Sequence, residues 1–153
     1  MGTEEQSESQ AIRPYAASLR LLREVGLRPT RQRLALAKIL FMEGRHRHVT
    51  AEQLHEEAMA SGIRISLATV YNALHQFTEN GLLKELVIEP AHVYFDTNVE
   101  PHHHFYNPGT GALEDVAASE IAFERLPPPP AGTRLTGVHV ILRVENGDAP
   151  TAR

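Results

Sequence analysis

The chain has 153 residues, no cysteine and a formal net charge of −4. The length suits one medium domain or two small ones, and the lack of cysteine removes disulfides, thiolate metal sites and cysteine nucleophiles. No run of about 18 apolar residues is present, so no transmembrane helix is expected. The polar, acidic stretch Met1–Gln10 lacks the apolar segment of a secretory signal, which fits a cytoplasmic protein.

Charge is spread unevenly. Residues 1–12 carry −3, residues 13–85 carry 11 Lys/Arg against 7 Asp/Glu for +4, and residues 86–153 carry 4 against 9 for −5. A basic module followed by an acidic one suggests a DNA-facing half and a different second half.

Residues 1–12 read as a disordered lead. Pro14 stands near the start of a first helix, whose apolar face is Tyr15, Leu19 and Leu22 and which Gly26 stops. Thr30 is the N-cap of a second helix, with Leu36, Ile39 and Leu40 on its core face and Gly44 near its end. Arg28, Arg31 and Arg33 surround that helix's first turn. The helix dipole makes this a poor place for cations unless an anion joins them. A DNA phosphate is a good candidate for Arg31 and Arg33, the plainer alternative being solvated surface arginines. Thr50-Ala51-Glu52-Gln53 is a capping box, after which Leu54 and Ala58 face inward and Gly62 closes a third helix.

Ser66 caps a fourth helix. Leu67, Val70, Leu74 and Phe77 form one apolar stripe, and Gly81 ends the helix at C′. The other face carries Thr69, Tyr71, Asn72, His75 and Gln76, with no acid among them. Such a front suits a major groove, although an ordinary surface helix also has a polar face. Two helices joined by a short glycine-containing turn, the second with this front, predict a helix-turn-helix. Leu82–Ile88 and Val93–Phe95 are β-prone runs around Glu89-Pro90-Ala91 and predict a hairpin. A hairpin directly behind a recognition helix is a wing.

In the second half, His102–Asn107 predicts a strand, Pro108–Gly111 a turn and Ala112–Val116 a returning strand. Ser119–Arg125 predicts a short helix, and Pro127–Pro130 a stiff extended connector. Leu135–Val144 places Val138, Val140, Leu142 and Val144 on one face in strict alternation, which predicts another strand. Residues 146–153 predict a frayed tail. So small a sheet has little core of its own. Pairing with a second copy would supply one, and a dimer suits two-fold operator DNA.

His102-His103-His104 is the chemical centre. On a strand, His102 and His104 point to one face and His103 to the other. Two imidazoles side by side begin a nitrogen-rich metal site, for which Asp96, Asp115 and His48 are further candidate ligands. Two or three histidines with two carboxylates suit Fe²⁺, Mn²⁺ or Zn²⁺. His103 could join His139 and a carboxylate such as Glu120 or Glu124 in a second site. Imidazoles also ligate haem iron, so the cluster could serve haem instead.

Leu27-Arg28-Pro29-Thr30-Arg31-Gln32-Arg33, His48-Val49-Thr50-Ala51-Glu52, Ile65-Ser66-Leu67-Ala68-Thr69-Val70-Tyr71 and Tyr94-Phe95-Asp96 before the histidine run resemble the ferric uptake regulator superfamily, over about residues 14–145 and in the family's order. Asn72-Ala73-Leu74-His75-Gln76-Phe77, Phe95-Asp96-Thr97-Asn98 and the triple histidine resemble its iron response regulator branch. The resemblance implies a homodimeric transcription factor in which Tyr71 contacts DNA. It implies a hinge metal site of His48, Asp96, His102, His104 and Asp115, and maps a second site less cleanly onto His103, Glu120 or Glu124, and His139. Asn107 and Thr110 stand where many members have a Cys-X-X-Cys pair, so the structural zinc of those members is not expected. The cysteine-containing haem motif of some iron response regulators is also missing, so any haem would fall to the triple histidine.

The expected fold is α+β. A winged helix-turn-helix over 13–97 follows the lead at 1–12, a small α/β dimerisation and ligand-sensing domain covers 98–145, and the tail is 146–153. The expected function is a DNA-binding regulator of iron and haem homeostasis, controlled by a divalent metal or haem. Ser66, Thr69, Tyr71 and Asn72 face the bases and Arg31 and Arg33 the phosphates. The expected partners are duplex operator DNA and a second copy, with no membrane. One alternative is a manganese, zinc or peroxide sensor of the same superfamily. Another is a histidine–carboxylate metalloenzyme, against which the helix-turn-helix argues.

Overall fold

A computed structural model describes residues 13–148. The expected lead, residues 1–12, and residues 149–153 of the expected tail lie outside the described residues. The chain divides into two compact units with the boundary between Val99 and Glu100.

The first unit is a winged helix. A 3₁₀ turn at Arg13–Tyr15 leads into α1 (Ala16–Glu24), followed by α2 (Arg31–Phe41), β1 (His48–Val49), α3 (Ala51–Ala60), α4 (Leu67–Glu79), β2 (Lys84–Glu89) and β3 (His92–Asp96). Side-chain caps start three of the helices: Thr30 accepts from the Arg33 amide, Thr50 from the Gln53 amide and Ser66 from the Thr69 amide. The Thr50 box is reciprocal, since the Gln53 carbonyl accepts the Thr50 amide at 2.9 Å. Gly81 has φ of 78°, a conformation that costs other residues strain. It lets the Leu82 amide reach the Phe77 carbonyl at 2.9 Å and closes α4.

The core follows from the apolar faces. Leu22 of α1, Leu36 and Leu40 of α2, Leu54 of α3, and Val70, Leu74 and Phe77 of α4 are fully buried. Four positions on the expected apolar faces are shallower, Tyr15 and Leu19 of the expected first helix being only half-buried. Ile39 is half-buried, and Leu67 is 36% exposed because it occupies the first helical turn, where no element covers it. Ala73 takes the buried place on α4 instead. The wing is the antiparallel pair β2–β3, with Leu86 opposite Tyr94 and a register shift between Val87 and Glu89. The two-residue β1 pairs with the other edge of β3, giving the order β1-β3-β2. Periodicity carries no information about a strand this short, and the sequence reading missed it.

The second unit is a three-stranded sheet of β4 (His102–Asn107), β5 (Ala112–Ala117) and β6 (Ile141–Arg143), in the order β5-β4-β6. β5 runs antiparallel to β4 and β6 parallel to it. Two expectations fail here. The helix at Ser119–Arg125 is only a 3₁₀ turn, Ala118–Glu120. The following run reaches Pro127, and a residue before proline is pushed out of the helical region. The strand at Leu135–Val144 is regular only at Ile141–Arg143. Its ladder to β4 runs only from His104 opposite Ile141 to Tyr106 opposite Arg143, because alternation makes a segment β-competent but a neighbouring edge must accept its hydrogen bonds.

Leu74 is fully buried beneath α4. Leu74→Ala is expected to destabilise the first unit by about 3 kcal/mol, from lost burial plus the cavity left behind. Chemical denaturation followed by circular dichroism measures the shift.

Candidate metal centre and DNA-reading face

The antiparallel register of β1 and β3 sets His48 opposite Asp96. Opposed residues on such a pair share a face, and His48 Nε2 stands 3.2 Å from Asp96 Oδ2. Asp96 is 1% exposed, and its other oxygen accepts the Asn98 amide at 2.9 Å. The strand is clamped from the residue before it. The Arg47 amide donates to Thr97 Oγ1 at 2.8 Å, the Thr97 amide returns to the Arg47 carbonyl at 3.0 Å, and the Arg47 guanidinium bridges Ile39 O and the Glu57 carboxylate. Sequence reasoning missed Arg47 and Glu57. Their only signal was an unassigned charge on each side of the capping box.

The second unit repeats the device. β4 and β5 set His104 opposite Asp115, and His102 lies two residues back on the same face. His102 Nε2 and His104 Nε2 are 3.0 Å apart, and each lies 3.4 Å from Asp115 Oδ1. His102 Nδ1 is 2.6 Å from the Glu100 carbonyl, which can only accept. That nitrogen therefore carries the hydrogen, and in the neutral ring Nε2 presents a lone pair. A lone pair facing a second imidazole nitrogen and a carboxylate oxygen needs a proton or a cation between them. Ligands of one ion at a bond length of about 2.1 Å stand roughly 3 Å apart, so the donor set fits a divalent metal. Nitrogen and oxygen donors without sulfur suit Fe²⁺, Mn²⁺ and Zn²⁺.

His103 points away from this trio. Its Nδ1 accepts the Val140 amide at 3.0 Å, and its ring meets Phe123 edge-on with centroids 6.0 Å apart. His139 stacks on His103 at 6.3 Å, but its Nε2 approaches His104 Nδ1 at 2.9 Å. Glu120 and Glu124 are exposed. The second set of candidate ligands thus divides, with His139 engaged by the first set.

On α4, Ser66 Oγ accepts the Thr69 amide at 3.1 Å and meets Thr69 Oγ1 at 2.8 Å, so both hydroxyls serve the cap. Asn72 is exposed. The Tyr71 hydroxyl donates to Glu52 Oε1 at 2.7 Å, linking α4 to the first turn of α3. Arg31 is exposed at the start of α2, whereas Arg33 Nη1 donates to the Arg28 carbonyl at 2.9 Å and braces the preceding turn.

The hydrogen bond to Glu52 raises the Tyr71 pKa above 10.0, and partial burial and the carboxylate charge act the same way. A raised folded-state pKa means that this contact stabilises the fold at and below the unfolded value, and is lost as pH rises through the folded one. Glu52→Ala should therefore move Tyr71 ionisation to lower pH. Ultraviolet titration, with Tyr71→Phe identifying the transition, measures it.

No helix among the described residues is long and apolar enough to cross a membrane. The sequence signature of the ferric uptake regulator family matches residues 24–126. The peroxide-responsive repressor PerR of Staphylococcus aureus (strain Mu50 / ATCC 700699) is 34% identical over 110 residues, 71% of this chain and 73% of that protein. Among solved structures, the ferric uptake regulator of Pseudomonas aeruginosa with manganese is 27% identical, with a TM-score of 0.62 over 83% of this chain and 96% of that one. The Vibrio cholerae ferric uptake regulator shares the fold at 23% identity, with a TM-score of 0.64 over 83% and 98%. The winged helix, the histidine–carboxylate donors and the matched signature agree: the chain belongs to the ferric uptake regulator family, whose members are transcriptional regulators rather than enzymes.

Proposed function

We propose that the chain is a metal-responsive DNA-binding repressor that works as a homodimer and controls genes of iron handling. The observation that carries the reading is the convergence of His102 Nε2, His104 Nε2 and Asp115 Oδ1 within 3.4 Å of one another. His48 and Asp96, held side by side on β1 and β3, would complete the ligand set of one divalent ion, which supplies the positive charge that these acceptors lack. Occupancy would then bias the conformation that binds DNA. The ion must favour one arrangement over another to have any effect.

α4 would enter the major groove with Tyr71 and Asn72 toward the bases, and Arg31 would hold phosphate. A second copy would cover Leu135, Val138 and Val144, which are 57%, 38% and 40% exposed. Haem has less support than a metal ion. His102, His103 and His104 are only 9%, 4% and 3% exposed, and each ring already engages a neighbour inside the second unit. The continuation of α4 and the triple histidine support a place in the iron response regulator branch. The similarity to a peroxide-responsive repressor favours, as a second reading, a peroxide-sensing relative of the same metal-dependent kind.

Fluorescence anisotropy on promoter DNA of iron and haem genes tests this, using chelated protein and protein loaded with Mn²⁺, Fe²⁺, Zn²⁺ or haem. Metal should change affinity, and peroxide should reverse the effect only under the second reading. His102→Ala combined with His104→Ala should abolish the metal response while sedimentation still shows dimers. Loss of dimers instead would make the cluster structural. Tyr71→Phe should weaken DNA binding by about 1 kcal/mol with metal content unchanged.

A further inference from the structure

We propose that His139 is a positioning residue for the metal ligand His104, not a ligand of a separate ion. The inference rests on the metal-sensing reading above and specifies how one of its ligands is prepared.

His102, His104 and His139 form a chain of three imidazoles in which each ring's hydrogen constrains the next. Glu100 holds the hydrogen of His102 on Nδ1, so His102 Nε2 offers a lone pair toward His104 Nε2, 3.0 Å away. With neutral rings and no cation, that distance is favourable when His104 carries its hydrogen on Nε2. His104 Nδ1 is then bare and must accept from His139 Nε2 at 2.9 Å. With a cation in front of the trio, His104 must present Nε2 as a lone pair. Its hydrogen moves to Nδ1 and donates to His139 Nε2.

His139 therefore has to donate in one state and accept in the other. An imidazole does both by exchanging tautomers, whereas a carbonyl oxygen, such as Glu100 offers to His102, only accepts. The ring of His139 is exposed, so water can exchange its hydrogens. The number of protons on the chain stays the same; only their positions change. A metal-bound histidine is commonly oriented by a partner on its other nitrogen. His102 has that partner on its own strand, two residues away. His104 receives it from residue 139, immediately ahead of β6, where the His104 amide also bonds to the Val140 carbonyl at 3.2 Å.

The test uses the full chain with His139→Ala and His139→Gln, the latter keeping an acceptor near Nε2. Zn²⁺ is the probe, being diamagnetic. In the wild type, ¹⁵N–¹H spectra of the His104 ring should show hydrogen on Nε2 before loading and on Nδ1 after it. His139→Ala should weaken Zn²⁺ binding roughly ten- to a hundredfold in chelator competition, with the number of ions bound unchanged. His139→Gln should restore the loaded-state spectrum and most of the affinity. The proposal is overturned if His139→Ala removes one bound ion and spares the rest, which would make His139 a ligand, or if it leaves affinity unchanged. A wild-type chain that takes up no Zn²⁺ overturns the metal-sensing reading itself, and that result is seen before any variant is compared.

Discussion

An antiparallel ladder places opposed residues side by side on one face, and each histidine–carboxylate pair is built on that constraint. His48 faces Asp96 across β1 and β3, and His104 faces Asp115 across β4 and β5. A slip of one residue in either register would send the imidazole and the carboxylate to opposite faces. The backbone thus decides whether these side chains meet. Arg47 holds the first register through Thr97, Ile39 and Glu57. The six paired positions of β4 and β5 hold the second.

The same constraint explains the tolerance for so much buried polarity. Asp96, His102, His103 and His104 are each at most 9% exposed, a costly placement unless every polar atom finds a partner. The Glu100 carbonyl fixes the role of His102 Nδ1 and leaves the His102 Nε2 lone pair directed at the trio's centre. A preorganised set of acceptors costs stability without a cation and repays it with one. This is how such a site couples binding to conformation.

The helical part of the first unit depends on a different balance. α4 is anchored by Val70, Ala73, Leu74 and Phe77, whose burial leaves the polar side chains to the opposite face. That face is already partly engaged, because Tyr71 is tied to Glu52 and Ser66 and Thr69 serve the cap. A phenol preset by a carboxylate has less freedom to lose than a loose one.

The sequence alone determined the four helices of the first unit, the wing and the first strand pair of the second unit. Caps, terminal glycines and apolar periodicity are local signals, and each of these elements is long enough to show its period. Thr50 with Gln53, Ser66 with Thr69, and the alternation about His103 all act within a few residues. Tertiary structure alone decided what required a distant partner: the two-residue β1, the shortening of β6 to Ile141–Arg143, the exposure of Leu67, and the turn of His139 toward His104. Those outcomes depend on which edge, cover or nitrogen lies opposite after folding, and neighbours along the chain do not encode that.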